Sequence, residues 1–151
     1  MRALAAVAVL AALPQPGLLV PGRSLGGIRL GEPAAQVRAP LGSFHGVCRG
    51  CSRTTWYFTY RRFDRVGLGV ELERGRVAAV YTLWQPAGWR TPSGVALGAP
   101  EAALPAALLR VECSGYAALV HRGRDAQTAY YVVNGKLWGF GLLRPRDSPC
   151  R

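Results

Sequence analysis

The segment Gly27-Ile28-Arg29-Leu30-Gly31-Glu32-Pro33-Ala34-Ala35-Gln36-Val37 returns 67 residues later as Gly94-Val95-Ala96-Leu97-Gly98-Ala99-Pro100-Glu101-Ala102-Ala103-Leu104. Five of the 11 positions are identical: two glycines, a leucine, a proline and an alanine. Ile28/Val95 and Val37/Leu104 are conservative. Further on, Gly75-Arg76-Val77 corresponds to Gly135-Lys136-Leu137 at an offset of 60, so the second copy is shorter inside. Self-similarity of this kind constrains architecture before any single element is assigned, because each copy must be one supersecondary unit.

Each copy has the same internal order. Pro33 and Pro100 suit a first helical turn, where the missing N–H would have no partner. Val37 and Leu41, and Leu104 and Leu108, are four apart and share a helix face. Pro40 and Pro105 limit each helix to about two turns. The rest alternates apolar and polar residues with the period of a half-buried strand. Expected strands are 54–60, 65–73 and 76–84 in the first copy, and 117–122, 127–133 and 136–143 in the second. Asn134-Gly135 is the strongest hairpin signal, since both residues tolerate positive φ. The expected fold is therefore α+β, as two repeats, each a short helical segment packed on an antiparallel sheet of about three strands. The first repeat spans 23–85, a Pro- and Gly-containing linker 86–93, the second repeat 94–143 and a tail 144–151.

Residues 1–22 read as a secretory signal. Met1-Arg2 is a short positive start, and Ala3–Leu13 is an uncharged apolar run ended by Pro14, Pro16 and Gly17. Cleavage after Ala11 or after Gly22 fits the small-residue rule, and the run is too short to span a bilayer, which takes about 20 residues. The chain has 151 residues, 50% hydrophobic and 18% charged, which excludes a disordered composition. Its formal charge is +11, with Lys136 the single lysine among 19 cations. Arg2 alone precedes residue 23 among the charges, so 11 − 1 leaves +10 after removal of residues 1–22. The arginines are scattered and form no basic tail.

The doubled G-[I/V]-x-L-G-x-P-x-A-x-[V/L] start, followed by an aromatic strand and a G-[R/K]-[V/L] hairpin, resembles the tandem repeat of the β-lactamase inhibitory protein superfamily. It is also similar to the SmpA/OmlA group of small outer-membrane assembly lipoproteins, which carry one such unit. The resemblance covers about residues 25–143. It implies helix-on-sheet units whose adjoining sheets form a concave face that grips a protein. The first cysteine is Cys48, so the lipid-anchor cysteine of the lipoprotein group has no counterpart, and its anchored role does not carry over. No partner-contacting residue of the inhibitor maps here by motif.

Four cysteines, Cys48, Cys51, Cys113 and Cys150, suggest two disulfides in an exported chain. Cys48–Cys51 with Cys113–Cys150 is preferred, the second bond tying the tail to the end of the second helix; Cys48–Cys113 with Cys51–Cys150 is the rival. The Cys48-Arg49-Gly50-Cys51 spacing also admits thiol-redox chemistry, since Arg49 would favour a thiolate. His45, Cys48, Cys51 and Cys113 admit a metal site. Neither has a supporting context, and no cofactor or metal is expected. His45 and His121 are the only imidazoles, and no nucleophile motif accompanies them.

Trp56, Phe58 and Tyr60 share one strand face, expected to pack on the helix. The candidate contact residues left in water are Tyr57, Arg61, Trp89 and Arg90. Trp and Arg are favoured interface anchors. No nucleic-acid motif is present. The expected function is a secreted, non-enzymatic binding module, its sheet face gripping a protein or an anionic envelope surface. The alternative is a thiol-redox or metal-handling protein centred on Cys48/Cys51.

Overall fold

A computed structural model describes residues 13–14, 16–42 and 45–151. The apolar run of the expected export signal lies mostly at 1–12, outside the described residues. Among the described residues, no helix is long and apolar enough to cross a membrane.

The alternating runs become strands. β1 (Leu19–Val20) and β2 (Ser24–Leu25) pair as a small ribbon. After helix α1 (Ala34–Leu41) come β3 (Gly46–Cys48), β4 (Thr54–Thr59), β5 (Gly67–Glu73) and β6 (Arg76–Leu83). Then follow β7 (Leu109–Cys113), β8 (Tyr116–Arg122), β9 (Gln127–Val133) and β10 (Lys136–Leu143). The last eight form one antiparallel sheet in the order β3-β4-β5-β6-β10-β9-β8-β7. Two four-stranded meanders thus meet along β6 and β10, where Tyr81, Val80 and Ala79 face Gly141, Leu142 and Leu143.

This corrects the expected architecture of two helix-plus-sheet repeats. The protein is mostly β, with one continuous eight-stranded sheet, a two-stranded ribbon and a single short helix. The physical reason lies in proline spacing. In the first half, Pro40 falls seven residues after Pro33 and sits inside the last turn of an eight-residue helix, which Gly42 ends at φ 89°. In the second half Pro105 comes five residues after Pro100. The helical region is disfavoured for a residue before proline, a cost that Ala39 bears within α1 and Leu104 does not. Leu104 is accordingly extended at φ −73°, ψ 156°, and only a three-residue 3-10 turn, Glu101–Ala103, survives. β3 and β7 were not expected. They are short edge strands without a clear apolar alternation, and pairing with β4 and β8 decides them.

One sheet face is dry. Trp56, Phe58, Leu68, Val70, Val80, Leu119, Tyr130, Val132, Phe140 and Leu142 form it, and α1 covers part of it through Val37 and Leu41. The rest is covered by the β1–β2 ribbon and by the segment expected to be a linker. Leu19, Leu25 and Trp89 are each 0% exposed within that core. The Trp89 indole N–H donates to the Tyr60 hydroxyl at 2.6 Å, which donates onward to the Pro14 carbonyl at 2.5 Å. A Cβ on Gly17 would lie 2.3 Å from the Trp89 ring, so the absence of a side chain there lets the indole lie flat against the chain. Residues 16–22, grouped with the expected export signal, are thus part of the packed layer.

Candidate binding site on the open sheet face

The other sheet face carries the site. Because side chains alternate, the face-sharing partners follow from register. Tyr57, Gly69, Tyr81 and Gly141 lie side by side across β4, β5, β6 and β10. Tyr131 stands beside Gly139, across β9 and β10. A Cβ on Gly69 would approach the Tyr81 ring to 2.7 Å, and one on Gly141 the Tyr131 hydroxyl to 2.5 Å. The glycines therefore let two tyrosine rings lie across neighbouring strands. Tyr116 meets Tyr131 edge-on at 5.7 Å between centroids, an arrangement favoured by the ring quadrupoles. Trp138, thrown outward by a register shift in β10, pairs with Trp84 at 6.1 Å.

The result is an aromatic trough. A cleft of about 350 Å³ is lined by Tyr57, Tyr81, Trp84, Tyr116, Tyr131 and Trp138. A second, of about 500 Å³, continues from Tyr57 and Tyr81 towards Cys51, Arg53, Glu71 and Asp147. Burial pushes the Tyr81 and Tyr131 hydroxyls well above the ordinary phenol range, so both remain neutral donors in any physiological medium.

The tail closes one end. Cys113–Cys150 fastens it to β7 and not to a helix, since Cys113 ends that strand. The bond spans 37 residues, worth about 4 kcal/mol in the chain-entropy picture. Cys48–Cys51 closes the corner between β3 and β4. Gln127, buried on β9, donates to the Arg144 carbonyl at 2.9 Å, and Tyr131 donates to that of Pro149 at 2.9 Å. Arg53 holds Asp147 through two bonds, 2.8 and 3.1 Å, and Glu71 at 3.2 Å. Arg144 pairs with Glu73 and Asp147, and Arg151 with Glu71 at 3.0 Å. Three arginines thus meet three acids.

Burial works against ionisation of Asp147, but hydrogen bonds from Arg53 and Arg144 outweigh it and hold the carboxyl below its ordinary range. A lowered native pKa stabilises the fold above the unfolded-state value, roughly 3.9 for Asp, and that contribution vanishes as pH falls through the native value. Asp147→Asn is therefore expected to cost about 1–2 kcal/mol at pH 7. The difference from wild type should shrink as melting is followed from pH 6 down to pH 3; a constant difference would refute the linkage.

Of the sequence-derived candidates, Tyr57 lines the trough. Arg61 is exposed in the turn after β4, its carbonyl accepting from the Thr59 hydroxyl at 2.8 Å. Trp89 is not in water: it is wholly buried, because an indole facing glycines Gly17 and Gly26 fills the dry layer. Arg90 is exposed beside it, bridging Leu18 and Ala96 through its backbone. The structure therefore separates Trp89 and Arg90 from Tyr57 by the thickness of the sheet. His45 stacks on Trp56 at 4.1 Å between ring centroids. Among the described residues, no three His, Cys, Asp or Glu side chains gather as metal ligands. Tyr81, Tyr116, Tyr131 and Trp138 were not singled out by sequence reasoning. Their signal was the glycines in the wet positions of β5 and β10, but only the cross-strand register shows that aromatic rings lie over them.

The fold is shared with a cysteine-rich secretory protein from Staphylococcus aureus subsp. aureus Mu50, with a TM-score of 0.56 at 12% identity. The match covers 91% of this chain and 51% of that one, so the chain spans about half the length of that protein. No family model matches the sequence, and no curated protein does.

Proposed function

We propose that this chain is an exported, non-enzymatic binding module that holds a protein partner on the open face of its sheet. The observation that carries the reading is the aromatic trough of Tyr57, Tyr81, Trp84, Tyr116, Tyr131 and Trp138. A concave, largely apolar surface with a few oriented hydroxyls suits recognition better than chemistry. Rings held by packing lose little entropy on binding, and Tyr and Trp dominate interface energetics. Export is supported by the two disulfides and by the apolar N-terminal run, and the fold neighbour is described as secretory. Gripping with a sheet face is also what the resemblance to the β-lactamase inhibitory protein superfamily implies.

Affinity capture from the producing culture tests the reading. Wild type should retain a protein that Tyr57→Ala loses by about tenfold, with unchanged melting. Equal retention by both would contradict it. The thiol-redox reading keeps one supporting observation: Cys51 is exposed on the cleft wall beside Tyr57. Facile reduction of Cys48–Cys51 to thiols with a low pKa would favour it over binding.

A further inference from the structure

We propose that the turn between β4 and β5, with the adjoining tryptophan pair, docks on an anionic phospholipid surface. The turn runs Tyr60-Arg61-Arg62-Phe63-Asp64-Arg65-Val66. Phe63 is 92% exposed and sits at φ 63°, in the left-handed region. Trp84 is 49% exposed at φ 57°, and its neighbour Trp138 is 36% exposed. Left-handed backbone is costly for bulky aromatic residues. Phe63 does not offset that cost by burying its ring and Trp84 buries only half of its surface, and strain of this kind concentrates at functional positions.

The three aromatics form one edge. Arg65 lies over the Trp84 ring at 5.3 Å, tying the turn to the tryptophan pair. Arg62 lies over Phe63 at 5.1 Å.

Charge selects the partner. The ion pairs lie away from the turn: Glu71, Glu73 and Asp147 engage Arg53, Arg144 and Arg151, and Glu101 and Glu112 share Arg110. Like most of the other arginines, Arg61, Arg62 and Arg65 are in no ion pair among the described residues, but here three fall within five positions. Asp64, the acid among them, accepts the backbone N–H of Arg65 at 2.6 Å and so shapes the turn. A phenyl ring at a turn tip has no polar atom to read a specific ligand, but it can enter the acyl boundary. Tryptophans favour the headgroup level, and arginines reach phosphates. An aromatic tip, a tryptophan pair and three guanidinium groups with one carboxylate among them therefore match a bilayer carrying negative phosphates.

This inference shares Trp84 and Trp138 with the trough but turns on Phe63 and the turn's arginines, and it is tested separately, with phosphatidylglycerol-containing vesicles and pure phosphatidylcholine vesicles. The full protein should sediment with the former and not the latter, and 0.5 M salt should release it. Phe63→Ala should weaken binding by about tenfold or more, and Arg61→Gln with Arg62→Gln by roughly fivefold per arginine. All of these positions are exposed, so melting should not change. Trp56 and Trp89 are already buried. A blue shift in emission on binding therefore reports Trp84 and Trp138, and Trp84→Phe with Trp138→Phe should abolish it. Equal binding to neutral vesicles, no binding to anionic ones, or binding indifferent to Phe63→Ala would each overturn the proposal. So would a protein captured through this turn in the absence of vesicle binding. Tyr57→Ala should leave vesicle binding intact even where it abolishes protein capture.

Discussion

A chain beginning at Arg23 is expected to lose most or all of its stability, whereas one beginning at Leu13 keeps it. The difference is the covering layer over one half of the dry sheet face. Leu13 and Leu19 are buried in the core. The Leu19 N–H donates to the Arg90 carbonyl at 2.9 Å, and that of Gly26 to Leu18 at 3.0 Å. Gly22 donates to the Thr128 hydroxyl at 2.8 Å, anchoring the layer to β9. Losing one buried leucine costs about 2–5 kcal/mol. Removing the segment also uncovers Trp89, strips Tyr60 of its acceptor and breaks the β1–β2 ribbon. The sum is comparable with the whole stability of a domain this size, about 5–15 kcal/mol. Urea unfolding of the two versions measures it directly. It also separates the two signal-cleavage sites consistent with the N-terminal sequence. Mass measurement of the exported protein should find an N-terminus at or before Leu13, and an N-terminus at Arg23 in a stable protein would show that the ribbon is dispensable.

Trp89→Ala is expected to destabilise by about 3–5 kcal/mol, the usual cost of emptying a buried aromatic site. The indole is wholly enclosed and its N–H is satisfied by Tyr60. Trp89→Phe should cost less, losing volume and one hydrogen bond of about 1 kcal/mol. Gly17 offers a sharper test. Gly17→Ala drives a methyl group into the indole and is expected to destabilise wild type. In the Trp89→Ala background the same methyl meets open space, so its penalty should fall away. A double-mutant cycle by urea denaturation isolates that coupling. Additive effects would mean that the close approach of Gly17 to Trp89 does not constrain the layer.

Much of the sheet was readable from alternation alone. The runs around Trp56-Phe58, Leu68-Val70-Leu72 and Val77, and their counterparts in the second half, became β4, β5, β6, β8, β9 and β10 within a few residues. Where local pattern and burial coincide, period-two sequences leave little freedom. The second helix failed because two constraints competed. A four-residue apolar spacing favoured a helix through Leu104 and Leu108, but Pro105, only five residues after Pro100, and the pre-proline position of Leu104 disfavoured it. Leu19 and Gly17 look in sequence like the end of an apolar leader, and only their contacts with Trp89 and Arg90 place them in the fold.

The candidate site divides along the same line. The sequence alone sufficed to put Tyr57 on the face away from the core, because Trp56 and Phe58 claim the other. It also allowed the four cysteines to be matched as neighbours, Cys48 with Cys51 and Cys113 with Cys150, though without excluding the rival pairing. It could not show that Trp89 is buried, since a tryptophan between Pro86, Gly88 and Pro92 has the surroundings of an exposed loop. Nor could it assemble the trough. Tyr81 lies over Gly69, and Tyr131 beside Gly139 and Gly141, but the two sets meet only where Tyr81 pairs with Gly141, 60 positions away. Local sequence decides which face of its own strand a side chain occupies. Which strands stand next to one another, and in what register, depends on closing a shared core, and that is settled only when the two meanders meet along β6 and β10.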